Sequence, residues 1–278
     1  MNSVRDRLSA LQTGGLDRID AQMLMLLALQ RAPHDRAWLL AHDAEALPDD
    51  AAARLEVLVE RRQRGEPMAY LRGDQEFFGL PLQVDPRVLV PRPDTETLVN
   101  WALDKVDAAN HAARVLDLGT GSGAIALAIA SLRHRASVIA TDASEDALAV
   151  ACSNAQRLQL PVQFHAGSWL DAVPGQRFDV IVTNPPYIAD NDAHLAALTH
   201  EPLSALAAGA DGLDDIRTII QNAPGALLPG GWLLIEHGFD QSVAVRSLLQ
   251  AAGFSHVSSR TDLAAIERCS GGQWPQQR

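Results

Sequence analysis

The segment Phe178 to Ile188, FDVIVTNPPYI, joins an apolar run to four residues that can hold a planar group. Its run Val180-Ile181-Val182 predicts a strand buried on both faces, which Pro185-Pro186 cannot continue. The Asn184 side-chain oxygen and a prolyl carbonyl can each accept an N–H, and Tyr187 offers a flat face. Two such acceptors raise the electron density on an amide or aromatic amine nitrogen and aim it at an electrophile. The alternative is a stiff strand exit with a packed tyrosine.

A second segment, VLDLGTGSGAIALAIA, places Gly119, Gly121 and Gly123 between a predicted strand and a predicted helix. Glycines there let the backbone approach a ligand and expose amide groups at the start of the helix. Asp142 ends the next predicted strand, where a carboxylate can accept hydrogen bonds from both hydroxyls of a ribose. The two features together predict a nucleoside site.

Asp117 distinguishes between two classes of nucleoside cofactor. The spacing of Gly119, Gly121 and Ala124 fits a variant dinucleotide fingerprint, so an NAD-dependent oxidoreductase is one alternative. A carboxylate just before the loop repels a pyrophosphate, however, and attracts a cation. S-adenosylmethionine carries an ammonium and a sulfonium but no phosphate. The pattern D-x-G-x-G-x-G followed by a strand-terminal acid therefore favours an S-adenosylmethionine-dependent methyltransferase.

Alternating strand and helix patterns position these residues from about Pro93 onwards, and they predict an α/β domain with a mostly parallel sheet. By strand count Asn184 follows the fourth strand, at the edge where open α/β sheets bind ligands. Residues 1–75 show helical spacing and predict a small bundle. Residues 76–92 are rich in Pro and Gly, have β-like pieces at residues 80–84 and 88–90, and predict a β-hairpin linker before a domain at 93–278.

The composition restricts the possible partners and the cellular location. The chain of 278 residues has a net charge of −11 and a single lysine, Lys105, whereas proteins that grip nucleic acid normally have a basic face. Cys152 and Cys269 have no CxxC partner, and the longest apolar run, residues 23–29, is too short to span a bilayer. We expect a cytoplasmic monomer with no metal site, no membrane segment and no direct nucleic-acid binding.

Seven segments in this order resemble the peptide chain release factor glutamine N5-methyltransferases over about residues 60 to 268. They are GEPMAYLRGDQEFFGL, VLVPRPDTETLV, VLDLGTGSGAIALAIA, DASEDALAVACSNA, FDVIVTNPPYI, EPLSALAAGADGLDDI and GGWLLIEHGFDQ. The resemblance implies a Rossmann-like, seven-stranded methyltransferase domain behind an N-terminal helical domain that recognises the substrate. It implies methyl transfer from S-adenosylmethionine to the glutamine amide in the Gly-Gly-Gln motif of class-1 release factors, with S-adenosylhomocysteine as product.

The resemblance also implies a role for each matched residue. The cofactor would contact Asp117, Gly119, Thr120, Gly121, Ser122, Gly123, Asp142, Trp169 and Asn184. Trp169 would pack against the adenine, and its alternative is a half-buried core tryptophan. The glutamine amide would be held by Asn184, Pro185, Pro186 and Tyr187, of which Asn184, Pro185 and Tyr187 would be catalytic. The run Pro91 to Glu96 would cover the site with Arg92 at its entrance, although Asp94 can instead cap a helix.

Three features have competing interpretations. The motif of Asn184 to Tyr187 also suits an adenine N6-methyltransferase acting on DNA or RNA, which the acidic charge argues against. His237, beside Glu236, is predicted to be structural rather than a ligand. The run of residues 60–64, ERRQR, is predicted to be a solvated helix end.

Overall fold

The computed structural model describes residues 3–276 and divides into two compact units, with the chain boundary between Gly73 and Asp74. The described part of the first unit is built from helices, as the sequence predicts. They are α1 (Val4–Thr13), α2 (Arg18–Ala28), α3 (Arg36–Ala41), α4 (Asp49–Gln63) and α5 (Met68–Arg72). The side chains of Ser3 and Asp17 cap α1 and α2 by accepting backbone N–H groups of the first turn.

Helix α2 forms the centre of the first unit because its apolar residues recur on more than one face. Leu24, Met25 and Leu26 are fully buried, and they pack in one cluster with Leu39 of α3 and Leu55 of α4. Burial of this cluster, rather than helix propensity, stabilises the short helices.

The arginine-rich run at the end of α4 is ion-paired inside its own unit. Arg61 pairs with Glu66, and Arg62 pairs with Asp20 at 2.6 Å. These ion pairs hold the C-terminal end of α4 within its unit, and the two arginine side chains remain partly exposed.

The second unit contains nine strands and five longer helices, all within residues 74–276. They are β1 (Asp74–Phe77), β2 (Leu80–Gln83), α6 (Glu96–Ala108), β3 (Arg114–Leu118), α7 (Ala124–Leu132), β4 (Ser137–Asp142), α8 (Glu145–Leu158), β5 (Val162–Ala166), β6 (Phe178–Thr183), α9 (Asp214–Ala226), β7 (Leu227–Glu236), α10 (Ser242–Ala251), β8 (Ser255–Thr261) and β9 (Glu267–Gln273). Short 3₁₀ helices lie at Pro93–Thr95, Trp169–Ala172, Ala193–Ala197 and Leu203–Ala205.

Seven of these strands form one sheet in the order β5-β4-β3-β6-β7-β9-β8. Strands β3 to β7 are parallel to one another, and β9 runs antiparallel to both β7 and β8. The predicted α/β fold with a mostly parallel, seven-stranded sheet is therefore confirmed. The strand order reverses between β3 and β6, which is where open sheets of this kind form a ligand crevice.

Strand β6 is buried on both faces, as its apolar run predicts. Val180 and Val182 belong to a core cluster with α6 and α7, and Ile181 belongs to a cluster with α9 and α10. Because side chains alternate across a strand, two helical layers cover opposite faces of the sheet. The residue that follows β6 is thereby held at a rigid edge.

The predicted hairpin is formed by β1 and β2, a little earlier in the chain than residues 76–92, and by its contacts it belongs to the second unit. The second β-like piece, residues 88–90, is not a strand, which corrects the sequence interpretation. The backbone N–H of Val90 donates instead to the Glu201 carboxylate at 3.0 Å. A side chain here takes the place of a strand partner.

Asn154 of α8 links this hairpin to the glycine loop. Its buried side-chain oxygen accepts the N–H of Gln83 at 2.7 Å, and its amide nitrogen donates to the carbonyls of Gln83 and Ser122, both at 3.0 Å. An asparagine side chain supplies one acceptor oxygen and two N–H donors, and among neutral side chains only the longer glutamine supplies the same set. Asn154 therefore fixes the position of Ser122 in the loop.

Within residues 3–276, no helix is both long enough and apolar enough to cross a bilayer.

We expect Asn154→Ala to lower the free energy of unfolding by about 3 kcal/mol, because it leaves buried backbone groups without partners. Urea denaturation measures this difference. Asn222→Ala is the control, since Asn222 is exposed on α9 and only bonds the carbonyl of Thr218 at 2.9 Å. Equal stabilities for the two variants would contradict the role given to Asn154.

Candidate active site

A cavity of about 340 Å³ lies at the carboxyl end of the parallel strands. It is lined by the residues that follow β3, β4 and β6, by the 3₁₀ helix after β5, and by the segment before α6. Among the lining residues are Gly119, Thr120, Gly121, Ser122, Asp142, Trp169, Asn184, Pro186, Arg92 and Asp215. Residues that are distant in sequence meet here because parallel strands end at one edge.

The glycine loop needs glycine for more than one reason. Gly119, Gly121 and Gly123 have φ values of +68°, +57° and +86°, in the left-handed region that favours glycine. A Cβ on Gly119 would lie 3.1 Å from the Trp169 ring, and one on Gly123 would lie 3.0 Å from Leu127. Gly119 therefore admits the tryptophan, whereas Gly123 allows α7 to pack and lies outside the cavity lining.

Asp142, the last residue of β4, is held in a fixed orientation by two backbone groups. Its two oxygens accept the N–H groups of Gly121 and Ser144, each at 2.9 Å. A carboxylate oxygen has two lone pairs, so each oxygen keeps one for a hydroxyl in the cavity. This geometry suits the predicted ribose contact.

Asp117 does not line the cavity, and its contact with a cationic ligand stays a prediction. Its side chain is fully buried under the loop, where one oxygen accepts the Thr120 hydroxyl at 2.6 Å and the Ala126 N–H at 3.1 Å. Its other oxygen has no hydrogen-bond partner within residues 3–276. Burial raises the pKa of Asp117 to about 7. The carboxyl holds the loop and the start of α7 together from beneath.

Trp169 lines the cavity and is held there by two contacts. Its backbone has a φ of +46°, and its ring lies against the unsubstituted Cα of Gly119. Hydrogen bonding from its side chain to Asp215 opposes the burial that raises the pKa of that carboxyl. The ring is half-buried and presents a face to the cavity, as a stack on a flat base requires.

The four residues after β6 do not all reach the cavity. Asn184 and Pro186 line it, whereas Pro185 and Tyr187 lie outside the lining. The Tyr187 ring packs against the core, its carbonyl accepts Gln241 at 3.0 Å, and burial raises the pKa of its hydroxyl. Tyr187 therefore supports the turn from below, and the structure does not place its ring face in the cavity.

Two buried side chains behind Asn184 were not singled out from the sequence. The Asn184 amide nitrogen donates to the Thr95 hydroxyl at 3.3 Å. Glu236, at the end of β7, is 2% exposed, and hydrogen bonding from Thr95 and Asn184 opposes the burial that raises its pKa to about 7. The sequence signal for Glu236 is an acidic residue that ends the apolar run LLIE, directly before His237.

The segment Pro91 to Glu96 borders the cavity. Arg92 lines it and forms an ion pair with Glu201, whose second oxygen binds the N–H of Val90 at 3.0 Å. Asp94 makes no capping hydrogen bond to α6 and instead pairs with Arg268 at 3.3 Å, so the capping alternative is wrong. Glu201 is the first residue of EPLSAL, and no local sequence pattern indicates its contacts with Arg92 and Val90.

His237 is structural, as predicted. It is fully buried, its Nδ1 donates to the carbonyl of Gly238 at 2.9 Å, and its Nε2 lies 2.7 Å from the Ser270 hydroxyl. Burial lowers its pKa, which favours the neutral imidazole, and both contacts are compatible with that form.

The cavity fits a nucleoside that carries a small polar tail. An aromatic side chain and a fixed carboxylate both line it. The backbone of the glycine loop is unhindered, because even a Cβ added to Gly121 would have no atom within 4 Å. A volume of about 340 Å³ lies within the usual range for small-molecule sites.

Comparison with known proteins agrees with this geometry and identifies the class of protein to which the second unit belongs. The family described as methyltransferase small domain matches residues 95–252, and the PrmC N-terminal domain matches residues 2–73. A crystal structure of a methyltransferase from Pyrococcus furiosus has the same fold, with a TM-score of 0.56 and 19% identity over 78% of this chain and all of that one. The second unit is thus a methyltransferase domain.

Curated relatives narrow the class to one family. The chain is 52% identical to a release factor glutamine methyltransferase of Bordetella pertussis over 93% of this chain and 95% of that protein. It is 49% identical to the corresponding protein of Xylella fastidiosa, over 96% of this chain and 97% of that protein. At these identities over nearly the whole length, the chain belongs to the release factor glutamine methyltransferase family.

The buried Asp117 carboxyl gives a pH dependence that can be measured. Its pKa is about 7 in the folded protein and 3.8 when unperturbed, so from about pH 4 to 7 the unfolded state releases a proton that the folded state keeps. The stability of the wild type relative to Asp117→Asn should therefore fall as pH rises through this window, by about 1.4 kcal/mol per unit, and then level off. Urea denaturation at a series of pH values tests this; parallel profiles for the two proteins would refute it.

Proposed function

We propose that this protein transfers a methyl group from S-adenosylmethionine to the side-chain amide nitrogen, N5, of a glutamine in class-1 peptide chain release factors. The target is the glutamine of the Gly-Gly-Gln motif, and the modification supports translation termination. The observation that carries this proposal is the Asn184 amide at the carboxyl end of β6, which lines the same cavity as Trp169 and Asp142. Family membership supports the identity of the substrate.

The cofactor site is formed by the cavity wall and the groups behind it. S-adenosylmethionine supplies an electrophilic methyl group on a sulfonium, and S-adenosylhomocysteine remains after transfer. Trp169 offers its ring to the adenine, and the free lone pairs of Asp142 accept the ribose hydroxyls. The complete proposed set is Asp117, Gly119, Thr120, Gly121, Ser122, Gly123, Asp142, Trp169 and Asn184. Within it Asp117 and Gly123 act indirectly, because they hold the loop rather than line the cavity.

The substrate amide is held by acceptors on a rigid turn. An amide nitrogen is a poor nucleophile because its lone pair is delocalised. The side-chain oxygen of Asn184 accepts one of its N–H groups, and the carbonyl of Pro185, which stands between the cavity-lining residues Asn184 and Pro186 in the chain, accepts the other. These two hydrogen bonds favour charge on the nitrogen and fix its direction. Pro185 and Pro186 restrict φ, and Tyr187 packs beneath the turn, so the acceptors keep their positions. As the bond between nitrogen and the methyl group forms, the bond between that methyl group and the sulfonium breaks and leaves a neutral thioether, and the proton that the amide nitrogen loses passes to solvent.

Arg92 is the proposed substrate contact at the rim. Its guanidinium borders the cavity and is 38% exposed, while Glu201 fixes it from the buried side. A guanidinium with free donors suits the backbone carbonyls of an extended peptide. The run Pro91 to Glu96 thereby covers one side of the bound glutamine.

The remaining features of the proposal concern organisation and partners. Residues 1–75 recognise the release factor, 76–92 connect, and 93–278 carry out catalysis. The protein works as a cytoplasmic monomer without direct contact to nucleic acid, in line with a net charge of −11. An adenine N6-methyltransferase would need a basic face for its substrate.

A methyl-transfer assay with labelled S-adenosylmethionine tests the proposal. The substrates are a purified class-1 release factor, its Gly-Gly-Gln→Gly-Gly-Ala variant, and mixed RNA and DNA. Label on the wild-type factor alone, mapped by mass spectrometry to that glutamine, is the expected result. Label on nucleic acid would favour the adenine methyltransferase instead.

Asn184→Ala should lower kcat about 100-fold or more, because it removes an acceptor that acts on the reacting amide. The dissociation constant of S-adenosylhomocysteine should stay within about threefold of the wild-type value, since other residues hold the cofactor. Asn222→Ala serves again as the surface control. Comparable turnover in Asn184→Ala would refute the mechanism.

Gly119→Ala should weaken binding of S-adenosylmethionine about tenfold or more, because its Cβ would lie 3.1 Å from the Trp169 ring and displace it. Gly175→Ala is the matched control, with a similar φ of +70° and no atom within 4 Å of its Cβ. Both variants strain the backbone by about 1 kcal/mol, and only the first moves the tryptophan. Isothermal titration calorimetry compares them, and equal affinities would contradict the role of Gly119.

A further inference from the structure

We propose that Glu236 and Thr95 are positioning residues that determine which way the side-chain amide of Asn184 faces. The inference rests on the proposed function, since it concerns the same reaction. It adds residues from β7 and from the run before α6 to the turn after β6.

The hydroxyl of Thr95 is directed at Asn184 and not at its own helix. Threonine at the start of a helix commonly accepts a backbone N–H with its side chain. Thr95 precedes α6, yet its side chain makes no capping hydrogen bond. Thr95 is 4% exposed, and its hydroxyl oxygen accepts a hydrogen bond from the Asn184 amide nitrogen at 3.3 Å. A buried hydroxyl that leaves its helix uncapped has another role.

Glu236 occupies a position where an apolar residue would be expected. It ends β7 after Leu233, Leu234 and Ile235, which are all fully buried. A carboxyl group without compensation is costly there. Its neighbours are the side chains of Thr95 and Asn184, while its Oε2 atom has no hydrogen-bond partner within residues 3–276. The carboxyl is therefore an acceptor that faces these two side chains.

The three groups form a chain with one preferred direction. An ionised carboxylate can only accept hydrogen bonds, so Glu236 accepts one from the Thr95 hydroxyl and one from the N–H₂ group of Asn184. The Thr95 oxygen is then left as an acceptor, and it selects the N–H₂ end of Asn184. The Asn184 oxygen is thereby directed away from Thr95 and toward the cavity. Without Glu236, Thr95 could donate to that oxygen, and the flipped amide would present N–H groups to the N–H groups of the substrate.

Protonation of Glu236 would remove this preference, because a neutral carboxyl can itself donate to Thr95. Burial raises the pKa of Glu236 to about 7, Asp94 raises it further, and Arg268 lowers it. The other titratable groups that face it are Tyr187 and Cys269, and both remain neutral near pH 7 because their own pKa values are raised. A decline of kcat below about pH 7 is the signature of this arrangement.

Four variants separate positioning from packing. Thr95→Ser keeps the hydroxyl, whereas Thr95→Val keeps the shape and loses it. Glu236→Gln keeps the volume and removes the ionisation. Thr141→Val is the control, because Thr141 is also fully buried but its hydroxyl has no hydrogen-bond partner within residues 3–276. For each protein, kcat and KM are measured with the release factor, and the dissociation constant is measured with S-adenosylhomocysteine.

Thr95→Val should lower kcat about tenfold or more, with KM and the dissociation constant within about threefold of wild type. Thr95→Ser and Thr141→Val should retain wild-type kcat within about threefold. Between pH 6 and 8, Glu236→Gln should have a reduced kcat that no longer falls at the acid side.

Wild-type kcat in Thr95→Val, or an equal loss in Thr95→Ser and Thr95→Val, would overturn the proposal, as would an acid decline that persists in Glu236→Gln. These outcomes differ from failure of the proposed function itself. In that case the wild type would not methylate the release factor at any pH, although it would still bind S-adenosylhomocysteine.

Discussion

The burial of two carboxyl groups on either side of β6 is the constraint on which the site depends. Asp117 lies near the end of β3 and Glu236 at the end of β7, the two neighbours of β6 in the sheet. Each is almost fully buried, each has one oxygen without a partner in the described chain, and each has its pKa raised to about 7. Each also contacts the hydroxyl of a threonine, Thr120 or Thr95. The carboxyls thus hold the two halves of the site, the glycine loop and the turn after β6.

Much of the fold follows from patterns that are local in sequence. The apolar run of residues 180–182 predicted a strand buried on both faces, and alternating strand and helix signals predicted the parallel sheet. The cavity residues Gly119, Asp142 and Asn184 could be singled out because each lies at or just after the end of a predicted strand, whereas Trp169 was indicated only by the family resemblance. The antiparallel pair β8 and β9 and the failure of residues 88–90 to form a strand were not predictable in this way. They depend on partners far along the chain, such as the Glu201 side chain that binds Val90.

Asp117 and Tyr187 lie outside the cavity lining for a shared physical reason. Both belong to motifs whose other residues line the cavity, but motif membership does not distinguish a side chain in the cavity from one beneath it. Whether a side chain lies beneath the cavity lining is determined by how the helices pack on the sheet, and no local sequence pattern predicts that packing. Conversely, Thr95 and Glu236 are separated by a long stretch of chain, and they meet because α6, which follows Thr95, packs against β7, which ends at Glu236. Such pairs become visible only when the sheet is assembled.

The same argument explains why these groups persist in a hydrophobic interior. An apolar residue in place of Asp117 or Glu236 would remove a desolvation cost of several kcal/mol and, considered alone, would stabilise the fold. It would also release the glycine loop that Asp117 holds, or the Asn184 amide that Glu236 orients, whose two orientations have similar energy. A carboxylate only accepts hydrogen bonds, so it imposes one direction on the hydroxyl next to it and, through that hydroxyl, on the following group. The buried carboxyl groups lower the stability of the fold, but they fix the orientation of the groups around the site. A reaction at a weakly nucleophilic amide depends strongly on that orientation.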